Sequence, residues 1–290
     1  GAVYVDKNST VTFDGRNTFD GNVANTNQGG AMVLKDQSTA SWKSETTFTR
    51  NIAAGGGAVS IGGNSTISFD GETTFDGNIA NTIQGGALSI ESSSVYFRSY
   101  TVFVGNTAKA FGGAVAFVAE ISSYDRGSPL TLAGFTTFVN NTCEANGGAL
   151  GLIGGVLISL ETTEITFSGN RADIAGGAIY MWGNDLGPVF TGVGFVSNFA
   201  QHGGGVYSTG SGNSLIGLDG ECSFIGNEAI ATGGAIHSAA GQDTVFGTAF
   251  NGNKASGGGA LNLAGTSSLT NCSFVENISN EGRGPVIANI

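Results

Sequence analysis

The segment Thr166-Phe-Ser-Gly-Asn-Arg-Ala-Asp-Ile-Ala-Gly-Gly-Ala-Ile-Tyr-Met181 contains two short motifs. The first is a Phe followed three residues later by Asn, and the second is Gly-Gly-Ala followed by an aliphatic residue. Both motifs recur along the whole chain, and successive copies of the Phe are 24 to 35 residues apart. Self-similarity at a period of this size is typical of a solenoid, a propeller or another repeat array.

The chain contains ten copies of Phe-x-x-Asn. The Phe residues, here called the Phe column, are Phe19, Phe48, Phe75, Phe103, Phe138, Phe167, Phe195, Phe224, Phe250 and Phe274. The Asn residues, here called the Asn ladder, are Asn22, Asn51, Asn78, Asn106, Asn141, Asn170, Asn198, Asn227, Asn253 and Asn277. Because equivalent positions of a solenoid stack, we expect the rings to form one buried column. We expect the amides to bond backbone groups and one another along the stack.

Short runs with apolar residues at every second position predict strands between the motifs. One repeat shows three of them, at Val59/Ile61, Ile67/Phe69 and Thr73/Phe75, separated by Gly-rich turns. A propeller blade needs about 40 residues, and a leucine-rich repeat needs a Leu frame that this sequence lacks. The sequence therefore predicts an all-β fold, a single parallel β-helix of about ten rungs of ~28 residues with three short strands each. Crossovers between parallel strands are almost always right-handed, so we expect that hand.

The composition fits an ordered repeat array. Glycine supplies 50 of 290 residues, and 40% of the residues are apolar, including 19 Phe. Gly and Pro together make about 18% of the chain, below the range of disordered low-complexity proteins. The chain begins at Gly1-Ala2-Val3, the second half of a Gly-Gly-Ala motif, and stops just after another copy. We expect one β-helix domain over residues 1–290, as a segment of a longer extracellular protein.

The charge pattern excludes some partners. The net charge is −11 and no basic block occurs, so nucleic acid is not an expected partner. No run of 18 apolar residues is present, so we expect no membrane-spanning segment. No secretory signal peptide is visible in the sequence.

Some carboxylates are candidates for a catalytic cluster, since parallel β-helices can be polysaccharide lyases or hydrolases. The best candidates are Asp14, Asp20, Asp70 and Asp76. Asp20 and Asp76 occupy equivalent positions two rungs apart, a separation of ~10 Å. That distance suits neither a retaining carboxylate pair nor a shared proton. We therefore predict no catalytic residues and no enzymatic activity.

Histidine and cysteine give no clear site. His202 and His237 lie beside Gly-Gly motifs at non-equivalent places, so the sequence predicts turn residues, with no metal and no cofactor. Cys222 and Cys272 are two rungs apart, ~10 Å, which exceeds the reach of a disulfide. Cys143 is expected in a turn, where it is available to pair outside the segment.

The longest separation between motif Phe residues, 35 residues, contains a polar insert. Its centre, Tyr124-Asp125-Arg126, is a candidate contact site, but an idle surface loop is the favoured interpretation. Asn8, Asn64 and Asn140 begin Asn-x-Ser/Thr sequons in predicted turns and are candidate glycosylation sites. Asn277 also begins a sequon, but it belongs to the Asn ladder and is not expected to carry a glycan.

The alternation of Phe-x-x-Asn with Gly-Gly-Ala-(Ile/Leu/Val) resembles the polymorphic outer membrane protein repeats of chlamydial surface proteins. Repeats of this type also occur in secreted surface proteins of microbial eukaryotes. The resemblance extends over all ten copies and implies a surface-exposed β-helical stalk or passenger. It leads us to expect a cell-surface or extracellular location, with protein partners or self-assembly at the cell surface.

Three functions follow from these observations. The favoured one is a non-enzymatic structural or adhesive rod that presents its sides and inserts to protein partners or to neighbouring subunits of a surface fibre. A β-helical polysaccharide lyase or hydrolase is the alternative. An ice-binding face is the third, because Thr precedes the motif Phe at Thr18, Thr47, Thr74, Thr137 and Thr166. That threonine column is interrupted in the other rungs, which disfavours it.

Overall fold

The chain forms a β-solenoid. A computed structural model describes residues 1–119, 129–154, 157–160, 164–183, 189–210, 217–239, 243–280 and 287–289. Within these ranges the regular elements are all β-strands, and every strand pair is parallel. The strands stack turn upon turn at about 28 residues per turn, so the predicted fold class is confirmed. The hand of the coil stays a prediction.

The first strand after each Gly-Gly-Ala motif belongs to sheet A, and the next belongs to sheet B or, in later rungs, to sheet E. Sheet A has eleven strands: Val3–Val5, Met32–Leu34, Val59–Ile61, Leu88–Glu91, Val115–Val118, Leu150–Ile153, Ile179–Trp182, Val206–Thr209, Ile236–Ser238, Leu261–Leu263 and Ile287–Asn289. Sheet B has six: Thr10–Phe13, Thr39–Trp42, Thr66–Phe69, Ser94–Phe97, Pro129–Leu132 and Leu157–Leu160. Sheet E takes the place of sheet B in the later rungs with four: Val189–Phe190, Gly217–Asp219, Thr244–Phe246 and Ser268–Thr270.

Two further sheets flank the motif Asn. Sheet C holds the motif Phe in ten strands: Asn17–Asp20, Thr46–Thr49, Thr73–Asp76, Thr101–Val104, Thr136–Val139, Ile165–Ser168, Val193–Val196, Ser223–Ile225, Ala249–Asn251 and Ser273–Val275. Sheet D follows the motif Asn with ten: Val23–Ala24, Ile52–Ala53, Ile79–Ala80, Thr107–Ala108, Thr142–Cys143, Arg171–Ala172, Phe199–His202, Glu228–Thr232, Lys254–Ala255 and Ile278–Ser279.

Sheet D adds a fourth strand to the three predicted for each rung. Most of its strands have two residues, such as Ile79–Ala80. Two residues are too few to show a period of two, so the pattern that revealed the other strands could not reveal this one.

The Phe column runs through the centre of the solenoid. The rings of successive motif Phe residues stack at centroid distances of 4.4 to 5.2 Å. Eight of the ten are buried, whereas Phe19 and Phe274 are partly buried because each has a stacked motif Phe on one side only. A second column on sheet B meets these rings edge to face, at Phe13, Trp42, Phe69 and Phe97.

The inner face of sheet D carries small side chains. Ala80, Ala108 and Cys143 are fully buried there and form a separate small cluster. The expectation that Cys143 lies in a turn is therefore wrong. Cys143 pairs in register with Ala108, and it falls in a strand because sheet D begins directly after the motif Asn. Burial raises the pKa of its thiol to about 11, which makes the sulfur a packing group.

Truncation of a central ring tests the Phe column. Phe138 lies 4.7 Å from the rings of both Phe103 and Phe167 and is 1% exposed. We expect Phe138→Ala to lower the free energy of unfolding by about 3–5 kcal/mol, because it leaves a cavity between two rings. Urea unfolding followed by circular dichroism measures the loss. The control is Phe135→Ala in the same rung, where the ring is 54% exposed and a change below about 1 kcal/mol is expected. Equal losses in the two variants would contradict the burial of the column.

Candidate functional site

The Asn ladder forms a continuous chain of hydrogen bonds from Asn22 to Asn277. Asn141 is representative: its Oδ1 accepts from the backbone N–H of Asn106 at 3.0 Å and from Asn106 Nδ2 at 2.9 Å. Its own Nδ2 donates to Oδ1 of Asn170 and to the carbonyl oxygen of Phe103, both at 3.0 Å. Each amide therefore joins its own rung to the rungs on both sides. The ladder closes the sharp turn between sheets C and D.

The sharp turn between sheets C and D also determines the backbone conformation of the residue before each ladder Asn. This residue has a positive φ in every rung, and most copies are glycine, as at Gly105 with φ of 62°. The non-glycine copies are Arg50, Asn140, Ser197 and Glu276. A left-handed conformation is unfavourable for these side chains, so the hydrogen bonds of the ladder hold them there.

The structure shows a second polar ladder, formed by serines, that the sequence analysis does not predict. The backbone N–H of Ser38 donates to Oγ of Ser65 at 3.2 Å, and the N–H of Ser65 donates to Oγ of Ser93 at 3.1 Å. All three serines are about 1% exposed, at the corner before sheet B. The signal was present in the sequence, because a Ser stands directly before each of the first four strands of sheet B.

The candidate carboxylates do not form a catalytic cluster. Asp20 and Asp76 both pair in register with Thr49, on opposite sides of it. Asp20 accepts two hydrogen bonds to Oδ1 and one to Oδ2 from the guanidinium of Arg50. Asp14 lies in an exposed turn. Asp20 is thus held by a cation, and Thr49 separates it from Asp76.

Asp70 likewise forms ion pairs with cations on the surface. It lies between Lys43 at 2.6 Å and Arg98 at 2.9 Å. Partial burial raises the pKa of Asp70, but the hydrogen bonds from Lys43 and Arg98 outweigh it and hold the pKa below its usual value. Arg98 also lies over the ring of Tyr96, 5.1 Å from its centroid. Asp70 is a charged group of the surface that is already paired.

The structure brings the two histidines together, which their positions in sequence did not indicate. Nδ1 of His202 lies 2.7 Å from Oγ1 of Thr232, and that oxygen lies 2.8 Å from Nδ1 of His237. His237 stacks on Tyr207 with 4.8 Å between ring centroids, and Tyr207 stacks on Tyr180 at 5.5 Å. His202 ends strand Phe199–His202 of sheet D and His237 lies in strand Ile236–Ser238 of sheet A, so the expectation that both are turn residues is wrong.

The hydroxyl between the imidazoles determines their tautomers. Thr232 has one hydroxyl proton, so it donates to one Nδ1 and accepts from the Nδ1–H of the other when both rings are neutral. Burial, together with the smaller effect of the nearby His202, lowers the pKa of His237 to about 4. Burial lowers the pKa of His202 as well. The cluster is a neutral hydrogen-bonded relay on the side of the rod.

The relay predicts a loss of stability in acid. His237 has a folded pKa of about 4 and an unfolded pKa of about 6.5, so the unfolded chain binds more protons between these values. Its contribution is complete above about pH 6.5 and falls as the pH drops toward 4. We expect the unfolding free energy of the wild type to fall by about 1–2 kcal/mol more between pH 7 and pH 5 than that of His237→Gln. Urea titrations at both pH values measure it. Identical pH slopes would show that the imidazole is not held neutral.

Metal and disulfide chemistry find no support in the described ranges. No group of three or more His, Cys, Asp or Glu that could hold a metal ion occurs in the part of the chain that the structure describes. Cys143, Cys222 and Cys272 are free thiols. Cys222 donates a weak hydrogen bond to the carbonyl oxygen of Phe190 at 3.3 Å.

The sequon asparagines Asn8, Asn64 and Asn140 are all exposed and all have positive φ, between 53° and 58°. Asn277, by contrast, accepts two hydrogen bonds from Asn253 and donates to the carbonyl of Phe250. The contact insert Tyr124-Asp125-Arg126 lies outside the described residues.

The threonine column on the outer face of sheet C is short. Thr18, Thr47 and Thr74 pair in register, but Val102 follows them in the next rung. Thr137 and Thr166 continue the column, and Gly194 ends it. This outer face is therefore a mosaic of polar and apolar rungs. The outer residues of sheet C therefore differ from one rung to the next.

The stacked parallel sheets and the side-chain ladders place this chain among the parallel β-solenoid repeat proteins. Two of its repeats, residues 164–181 and 221–239, match the model of the Chlamydia polymorphic membrane protein repeat. The chain therefore carries repeats of this family, and the resemblance seen in the motifs is confirmed. Comparison with curated proteins gives no match, and comparison with solved structures gives none. Among the described residues, no helix has the length and apolar character needed to cross a membrane.

Proposed function

We propose that this chain is a non-enzymatic, surface-exposed rod whose sides bind protein partners or neighbouring subunits at the cell surface. Two findings support the proposal: the repeat family is one of membrane proteins, and the fold is a stack of structural ladders. The observation that carries it is that these polar side chains are already bonded to other groups of the rod. The buried asparagines bond to each other, and the candidate carboxylates Asp20 and Asp70 are paired with cations.

The geometry suits a rigid support. Successive rungs are joined by backbone hydrogen bonds in three or four sheets and by the amides of the Asn ladder. Such an array transmits force along its axis while its outer faces and inserts vary freely, because equivalent outer positions are not constrained by packing. We propose further that residues 1–290 act as one such unit within a longer extracellular protein.

The experiment compares adhesion with catalysis on the same preparation. Beads coated with the folded chain are incubated with immobilised extracellular matrix proteins and with a second set of coated beads. We expect saturable binding or bead clustering, and no release of reducing ends or unsaturated products from uronate polymers. Beads coated with heat-unfolded chain are the control. Turnover of a polysaccharide, or adhesion equal to that of the unfolded control, would refute the proposal.

We also propose that Asn8, Asn64 and Asn140 accept glycans when the chain is secreted from a eukaryotic cell. All three side chains are exposed at turns, where an acceptor amide is accessible. Peptide mapping after expression in such cells is expected to find modified peptides at these three positions and an unmodified Asn277. Occupancy of Asn277, whose amide is bonded within the ladder, would contradict the structure.

A further inference from the structure

Two consecutive rungs carry an apolar surface on the outer face of sheet C. The residues are Tyr100, Val102, Val104, Phe135, Thr137 and Val139, which we call the aromatic patch. Val102 pairs with Thr137 and Val104 with Val139, and the N–H of Thr101 donates to the carbonyl of Phe135. The side chains point outward because their neighbours Phe103 and Phe138 point into the core.

The aromatic rings at one end of the patch are open to solvent. Tyr100 is 48% exposed and Phe135 is 54% exposed, in adjacent rungs that lie about 4.8 Å apart. The valines of the patch are half-buried and lie beside the two exposed rings. Exposed aromatic side chains supply large contact area at low entropic cost and are enriched where proteins bind each other.

The rungs on both sides of the patch are polar at the same positions. The preceding rung has Glu72, Thr74 and Asp76 where the patch has Tyr100, Val102 and Val104. The following rung has Glu164, Thr166 and Ser168 where the patch has Phe135, Thr137 and Val139. The patch is therefore bordered by a polar rung on each side.

The borders of the patch are acidic. Glu72 and Glu164 are exposed, and neither forms an ion pair with another described residue. Asp76 on the same border interacts electrostatically with Arg50, but Arg50 is already bound bidentately by Asp20. Arg98, two residues before Tyr100 in the chain, is engaged by Asp70 and Tyr96. A partner would therefore meet uncompensated carboxylates around an apolar centre.

We propose that the aromatic patch is a docking surface for a protein segment with apolar side chains flanked by Lys or Arg. The apolar side chains cover Tyr100, Phe135 and the valines, and the cations pair with Glu72 and Glu164. The complementarity of charge favours a basic partner over a second copy of this acidic chain, whose net charge is −11. This inference rests on the proposed function, because it assigns a place and a chemistry to binding on the side of the rod.

The test uses the full chain and three 12-residue peptides: alternating Lys-Leu, alternating Glu-Leu and alternating Lys-Ser. Isothermal titration calorimetry is expected to show that the Lys-Leu peptide binds at least tenfold more tightly than the other two. The key variant is Tyr100→Glu/Val102→Thr/Val104→Asp, which copies the residues of the preceding rung. These residues already occur at the same positions in the chain, so the variant is compatible with the fold.

This variant is expected to weaken binding of the Lys-Leu peptide at least tenfold, although it adds negative charge. Glu72→Gln/Glu164→Gln is expected to weaken it several-fold and to reduce its dependence on salt. Val23→Thr/Phe246→Thr removes exposed apolar groups elsewhere, on sheets D and E, and is expected to leave binding unchanged. Unfolding midpoints in urea verify that all variants are folded.

Equal affinity for the three peptides, or equal weakening by the Val23/Phe246 control, would overturn the inference. So would patch-dependent dimerisation in sedimentation velocity, which would make a second copy the occupant, or patch-dependent binding of a neutral polysaccharide. If the rung-copy variant retains full adhesion in the bead assay, this inference fails while the proposed function stands. Enzymatic cleavage of a polysaccharide by the chain would instead refute the proposed function.

Discussion

Gly113→Ala is expected to lower the free energy of unfolding by more than about 4 kcal/mol, or to yield no folded protein. Gly113 is the second glycine of a Gly-Gly-Ala motif, where the backbones of neighbouring rungs come very close. A Cβ at this position would overlap the carbonyl oxygen of Gly148 and would lie 2.6 Å from the carbonyl oxygen of Thr142. Both obstacles are backbone atoms held by the sheets, so no side-chain rearrangement can relieve the overlap. Soluble yield, circular dichroism and urea unfolding measure the effect.

Gly105→Ala is the matched control in the same rung. Gly105 has a φ of 62°, but a Cβ there would meet nothing within 4 Å. Its replacement is expected to cost only about 1–2 kcal/mol, the strain of a left-handed alanine. A similar effect of the two substitutions would show that conformational freedom, rather than close approach, is the reason for the second glycine of the motif.

Asn141→Leu is expected to cost about 3–5 kcal/mol, because it removes a buried amide that four groups use. The backbone N–H of Asn106 and the carbonyl oxygen of Phe103 lose this partner while they remain buried. Leu keeps the branched shape and the number of side-chain heavy atoms of Asn, and its methyl groups are bulkier, so the substitution removes the hydrogen bonds without leaving a cavity. Urea unfolding measures the change, and hydrogen exchange at Asn106 identifies where it acts.

The control is Asn251→Leu, on the exposed outer face of sheet C, where a change within about 0.5 kcal/mol is expected. A small effect at Asn141 would mean that water can replace the ladder amide. In that case the turn between sheets C and D would be maintained by its backbone geometry alone.

The sequence by itself determined the repeat, the parallel stacking and the positions that stack. A motif that recurs ten times at intervals of 24 to 35 residues leaves one common environment for all copies, so its recurrence places Phe103, Phe138 and Phe167 on one column. The Asn ladder follows for the same reason, because the motif Asn stands at a constant distance from the Phe. Local patterns also identified the strands of sheets A, B and C.

Features that depend on contacts between non-equivalent positions were decided only by the tertiary structure. His202 of sheet D and His237 of sheet A meet through the hydroxyl of Thr232, and no spacing in the sequence relates these two positions. Cys143 lies in a strand too short to show a period, so only its pairing with Ala108 reveals its burial. The aromatic patch arises because Tyr100 and Phe135 become neighbours across 35 residues of chain, on a face whose outer positions packing leaves free to vary.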